Sequence, residues 1–498
     1  MNDLLTQIAV WHENNGHQNI IDAIEALPRE QWGYELTCLL ARAYNNLEEK
    51  NAPQLEKAVD LLQSVAEQGR DDAIWHFRLG YALYYLERDP DALYCFQKAA
   101  ELDPDDPDAP EFIDKCRHNL TMPRFQKNFR ERTEEAWNAF AEGEGELRRL
   151  LDVKDRSTVE NELLEKCFQI LRIAFYDISF ELGVNGEKYE LILSPQGNRT
   201  RLFELVYFRQ HAPASVLERW NIHVGCQPGR EYTVRAFNWE VAVQDVKVWT
   251  EKTGEQKVGL AVYCEKLAAP LKEDKDREKV WWMLPILIHQ VLGEVPAMSL
   301  IGSFDILDAP RQEPSIPLPE LPAVLEGMGL NLNPEPQEYL DNSYISYQME
   351  PVENMDSDWR LDVFAGSTRC SDLINEYLRG ETGTVDALYH DGAVAGFFCF
   401  PLDSFTGGER GKQILDFRDE LEAYITEQFP DAITFLGGAS GIYCGYLDFI
   451  AWDLARVLGA ATVFFKQSPL AWASFHTFRR DVGTLGLYDR EREKNEGK

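Results

Sequence analysis

Residues 73–104 read AIWHFRLGYALYYLERDPDALYCFQKAAELDP. Apolar and small side chains recur at helical spacing in two blocks, separated by the turn Glu87-Arg88-Asp89-Pro90, which predicts two antiparallel helices. Gly80 and Ala92 are small where the two helices would cross closely, and Leu79 and Phe96 are large enough to fill the space around that crossing. Upstream, YELTCLLARAYNNL (34–47) and LEKAVDLLQSVAEQG (55–69) repeat the pattern, with Leu40, Ala41 and Tyr44 on the first helix and Ala58 and Leu62 on the second. About five extra residues fall in its turn, around Glu49 to Gln54. HENNGHQNIIDAIEALP (12–28) adds a degenerate pair of the kind that caps such arrays.

Leu79, Gly80, Ala92, Phe96, Ala99 and Pro104 stand in register with the positions of the 34-residue tetratricopeptide repeat. Residues 1–120 therefore resemble an array of that family. The resemblance implies a concave groove, lined by the first helix of each hairpin, that holds a peptide from a partner protein. Carried over position by position, it would present Glu35, Cys38, Arg42, Asn45 and Asn46 from one repeat and Ile74, Phe77, Tyr81, Tyr84 and Tyr85 from the next. Where chaperone-binding members clamp a terminal carboxylate with Lys and Asn, this chain has Cys38 with Arg42 and Phe77 with Tyr81, which argues against a chaperone tail.

Beyond the array, residues 121–156 predict a long, exposed connecting helix, although Gly143 and Gly145 weaken it. Residues 157–307 predict an α+β domain with hairpins at Asn185-Gly186 and Thr253-Gly254. Seven prolines between 308 and 338 predict an extended linker, residues 339–490 a second α+β domain with a hairpin at Asp391-Gly392, and 491–498 a charged tail. Hairpin, helix and strand follow in the same order in both domains, so tandem related units are expected. The fold class is thus an all-α repeat solenoid followed by two α+β domains. The stretch 190–228 also resembles a bacterial domain of unknown function, found with such arrays in accessory proteins, some of them immunity-like.

A chain of 498 residues with a formal charge of -34 repels phosphate backbones and anionic membranes, so nucleic acid is excluded as the expected ligand. Nine scattered cysteines without a CxxC pair point to reduced thiols in the cytosol. No basic start with a long apolar core opens the chain, and its strongest apolar run, 281–293, is too short to span a bilayer.

Phosphate-loop, dinucleotide, zinc-protease and EF-hand motifs do not occur, so neither cofactor nor metal is expected. Gly437 to Gly441 approaches a nucleophile elbow, but Ile442 stands where GxSxG needs glycine, and a glycine-rich turn is the better reading. An enzymatic alternative would draw on Ser440, Cys444 and His476 in the carboxy-terminal half. The expectation is instead a non-enzymatic adaptor or scaffold in the bacterial cytosol. Its protein or peptide partner would be basic, such as a toxin that the chain neutralises, because an acidic surface steers basic proteins.

Overall fold

The computed structural model describes residues 2–229, 232–406 and 408–496. It divides into two compact units. One joins Met1–Asn128 to Gln348–Gly366 and Leu373–Lys498; the other joins Phe129–Tyr347 to Ser367–Asp372. The expected array and most of the expected last domain therefore share one unit, while the middle of the chain, with 339–347 and 367–372 of that domain, forms the other.

The array comprises α1 (Asn2–Glu13), α2 (His17–Glu25), α3 (Tyr34–Asn45), α4 (Ala52–Gln63), α5 (Ala73–Tyr85), α6 (Asp89–Leu102) and α7 (Asp108–Thr121). Asp72 starts α5 by accepting from the Ile74 amide at 2.9 Å, and Asn51 starts α4 by accepting from the Gln54 amide at 3.1 Å; each satisfies a backbone donor that has no partner inside the helix. At the α5/α6 crossing Ala92 and Phe96 are wholly buried. A Cβ on Gly80 would come within 3.1 Å of Cys95 and Phe96, so the small residue is what lets the helices approach. Trp75 fills the junction between hairpins and donates its indole N–H to the Leu62 carbonyl at 3.0 Å.

In the second unit, α8 (Phe129–Leu151) is not the exposed connector expected over 121–156. Phe129, Ala136, Trp137, Phe140, Leu147 and Leu150 form a buried stripe at helical spacing, and Trp137 stacks on Phe208 with centroids 4.5 Å apart. Packing overrides the two glycines because the stripe buries several large side chains at once. After α9 (Glu160–Leu171) come β1 (Ser179–Asn185), β2 (Lys188–Ser194), α10 (Arg199–Gln210) and β3 (Trp220–Val224). β1 and β2 form the expected hairpin, with its turn at Gly186-Glu187 because Asn185 still pairs with Lys188, and β3 pairs with β2 in parallel.

A small hairpin, β4 (Thr233–Ala236) and β5 (Trp239–Ala242), precedes β6 (Val246–Gly254) and β7 (Lys257–Cys264). The β6/β7 turn falls at Glu255-Gln256, because Gly254 still pairs with Lys257 across a register shift. The helix α11 (Asp274–Leu292), β8 (Ile301–Ile306), β9 (Ile316–Pro317) and α12 (Leu321–Gly327) complete a four-stranded sheet of order β8-β7-β6-β9 with its cover. The proline-rich segment is therefore no free linker: β9 lies on the sheet edge, where a strand proline loses no ladder bond, and Leu318, Leu321 and Leu325 enter the core.

The chain from Val363 onward contains β10 (Val363–Thr368), of which Val363–Gly366 belong to the first unit, and then, all in the first unit, α13 (Gly383–Asp391), β11 (Val394–Pro401), α14 (Arg410–Gln428), β12 (Ile433–Gly441), β13 (Cys444–Ala451), α15 (Leu454–Gln467), β14 (Trp472–Thr477) and β15 (Leu485–Asp489). From Val363 onward the sheet order is β10-β12-β13-β11-β14-β15. This large sheet does not repeat the small sheets of the middle region, which include two parallel pairs, so the tandem expectation finds no counterpart in the topology. Asp391-Gly392 is not a hairpin turn either. It closes α13, with Gly392 in the left-handed conformation (φ 86°) that helix ends and tight turns both require. The glycine-rich "turn" is part of β12, bulged between Phe435 and Gly437. The charged tail starts as helix Arg490–Glu496, and positions 497–498 lie outside the described residues.

Candidate functional site

The array carries a groove of about 420 Å³ lined by His12, Arg42, Asn45, Asn46, Ile74, Phe77, Arg78 and Tyr81. Six of the ten residues expected there line it: Arg42, Asn45, Asn46, Ile74, Phe77 and Tyr81. Its floor is held by bonds between successive hairpins. Asn45 donates to the Arg78 carbonyl at 2.9 Å, and the Arg78 guanidinium donates to the Cys38 carbonyl at 3.1 Å. Ile74 stands at the rim, 59% exposed.

The other four, Glu35, Cys38, Tyr84 and Tyr85, are placed differently, Glu35 being exposed on α3 outside the lining. Tyr84 turns toward α7 and meets Phe112 edge-on at 5.4 Å. Tyr81, Tyr84 and Tyr85 stand at i, i+3 and i+4 and so share one helix face, but Phe112 of α7 packs against the Tyr84 side of that face. Tyr85 is exposed but lies under Lys50, whose ammonium sits 3.7 Å from its ring centroid and also bonds the Tyr81 hydroxyl. Cys38 is buried and its thiol is pushed up by burial, so it serves packing.

Sequence reasoning missed Arg78 and His12. Arg78 could have been found, since it lies one turn from Ile74 on the same helix face as Arg42's counterpart; His12 belongs to the degenerate cap, where no register could be assigned. The electrostatics of this lining are one-sided. Burial first, and then Arg78, lower the Arg42 guanidinium; burial lowers Arg78. Burial and Arg42 also hold the His12 and His17 imidazoles below their ordinary value. The acid that acts on Arg78, Asp72, is already tied to the Tyr34 hydroxyl at 2.6 Å and to the start of α5.

The enzymatic candidates are not brought together. On the sheet Cys444 lies opposite Pro401 of β11, whereas His476 lies opposite Phe397. At about 3.3 Å per residue and 4.8 Å per strand, their Cα atoms are about 16 Å apart, and Ser440, one strand further, is about as far; a nucleophile and base need hydrogen-bond reach. The Ser440 hydroxyl instead accepts from Arg418 at 3.2 Å. His476 meets Ser474, which sequence reasoning did not single out, at 3.0 Å through Nε2. Its Nδ1 faces the Thr484 hydroxyl at 3.2 Å rather than an orienting carboxylate, and burial lowers its pKa to about 3.

Among the described residues no cluster of three metal-ligating side chains occurs, and no single helix is long and apolar enough to cross a membrane. None of the nine cysteines forms a disulfide.

Comparison with known proteins identifies a tetratricopeptide repeat at residues 73–106, which is α5, α6 and the turn that follows. No curated protein and no solved structure matches the chain. The repeat supports a role in protein–protein interaction.

Proposed function

We propose that this chain is a non-enzymatic adaptor of the cytosol that holds a peptide segment of a partner protein in the groove of its helical array. The observation that carries this reading is the groove itself: a 420 Å³ concavity built from the first helices of successive hairpins, with Ile74 and Phe77 offering apolar contact beside polar Asn45 and Asn46. Such a mixture of apolar surface and a few placed polar groups is what peptide recognition needs. Nine cysteines outside any disulfide, eight of them buried, support a reducing compartment. The finer expectation of a basic, toxin-like partner rests on net charge and on the resemblance of 190–228 to immunity-like accessory proteins, whereas the groove lining carries the opposite sign to the chain; a general adaptor is the reading put forward.

A photo-crosslinking side chain placed at Ile74 tests it. In native extract it should attach to a specific partner, while the same group at Tyr94, equally exposed on the second helix of the hairpin, should not. Equal labelling from both positions, or none from either, would remove the groove as the binding surface.

A further inference from the structure

We infer that the array groove is an anion-recognition site whose occupant is an acidic segment presenting at least two carboxylate side chains, although the protein as a whole is strongly acidic. The inference rests on the adaptor reading above and names the chemistry of the segment it would hold.

Two guanidinium groups, Arg42 and Arg78, line one small groove. Each is partly buried, and Arg42 is further opposed by Arg78. No carboxylate lines the groove, and among the described residues neither guanidinium takes part in an ion pair within 4.0 Å. Asp72 is committed to Tyr34 and to the α5 amides. His12 adds a third nitrogen group whose protonation the two arginines oppose.

A chain with 34 more acidic than basic groups has carboxylates to spare, and most of its other arginines are paired. Two like charges placed together under partial burial cost folding energy. Such an arrangement persists when a bound anion offsets it, in the way that locally unfavourable groups collect at functional sites. One carboxylate would balance one guanidinium, so two cations call for two anionic side chains. Arg42 supplies a planar fork suited to a carboxylate, while Ile74 and Phe77 give an apolar residue between or beside the acids a place to rest.

The charge distribution gives binding a distinctive salt response. The long-range field of the whole chain repels an acidic segment, and the groove attracts it only at short range. Added salt screens the first before the second. Association should therefore quicken as ionic strength rises from low values, the reverse of ordinary charge steering.

The test is selection from a phage-displayed random peptide library on the full-length protein, followed by binding of the recovered peptides, made with capped ends, to four proteins. These are the parent, Arg42→Met, Ile74→Glu and Phe77→Ser. The expected binders are enriched in Asp and Glu. Arg42→Met should weaken them about tenfold while leaving the melting temperature unchanged or higher, since a like-charge repulsion is removed. Ile74→Glu, at an exposed position that does not threaten the fold, should weaken them similarly by placing a carboxylate at the rim. Binders that are neutral or basic, yet lost on Phe77→Ser, would overturn the anion assignment and leave the adaptor standing. A library that yields no groove-dependent binder would overturn both.

Discussion

The hydroxyl of Tyr389 donates to the Asp89 carboxylate at 2.6 Å, joining residues 300 positions apart within one unit. Asp89 opens α6 of the array, is 3% exposed, and also accepts from Asn119 at 2.9 Å; Tyr389 lies on α13, and its ring meets Phe125 at 4.9 Å. His390 stands 3.2 Å from Asp91 beside it. A second seam continues the contact, with the Gly483 amide donating to Thr121 at 2.9 Å. The end of the array is thereby fastened to the carboxy-terminal sheet.

Removing the Tyr389 hydroxyl should loosen that seam. Tyr389→Phe leaves a buried carboxylate short of one donor, and the loss is expected to be about 1.5 to 3 kcal/mol in chemical denaturation. A double-mutant cycle with Asp89→Asn isolates the pair; a coupling energy near zero would show that the bond contributes nothing beyond packing.

His476 makes stability depend on pH. Burial lowers its pKa from 6.5 to about 3, so the unfolded chain binds a proton that the folded chain refuses. Stability from this group is complete above about pH 6.5 and falls by about 1.4 kcal/mol per unit as pH drops toward 3. His476→Gln should retain bonds to Ser474 and Thr484 but lose the slope. Between pH 7 and 5 its unfolding free energy should fall by about 2 kcal/mol less than that of the parent; parallel curves would refute the assignment.

Gly441 is fixed by the closeness of Asp362. A Cβ there would sit 2.1 Å from Oδ2 of a carboxylate that already accepts from the Tyr446 hydroxyl at 2.5 Å and from the amides of Tyr443 and Cys444, both at 3.0 Å. Gly441→Ala should cost about 2 kcal/mol or more, because it must displace a satisfied buried acid. Gly459, on α15 with nothing within 4 Å of its Cβ, is the control; Gly459→Ala should be neutral or stabilising by up to about 1 kcal/mol. Thermal melts of the two variants read the contrast directly.

Arg360 and Asp448 form a fully buried ion pair, with Nη2 to Oδ2 at 3.2 Å, roofed by Phe397, Tyr446 and Phe478. Arg360 holds the left-handed backbone (φ 68°) and donates its amide to the Tyr446 hydroxyl at 3.0 Å. Arg360→Met alone should destabilise by about 3 to 5 kcal/mol, since it strands a buried carboxylate. Adding Asp448→Leu should recover most of that loss, and denaturation midpoints of the single and double variants check it. A double variant as unstable as the single would place the cost in the backbone of residue 360 instead.

The helical hairpins were legible in the sequence because their determinants are local: a 3.6-residue period, a capping Asp72, small residues at Gly80 and Ala92, and a proline-marked turn. The same holds for the β1/β2 hairpin, whose turn falls one residue later than Asn185-Gly186, and for six of the ten expected groove residues. Asp391-Gly392 was misread because one left-handed glycine serves both a hairpin turn and a helix end, and only the neighbouring backbone decides between them. Tyr84 was misassigned because spacing gives the helix face but not which neighbour covers it. The proline-rich stretch and the helix over 129–151 looked like connectors because their burial depends on partners distant in sequence. Tyr389 with Asp89 and Arg360 with Asp448 were beyond reach for one reason. Residue type shows what a side chain can bond, whereas burial and the meeting of remote strands and helices select which bond is made.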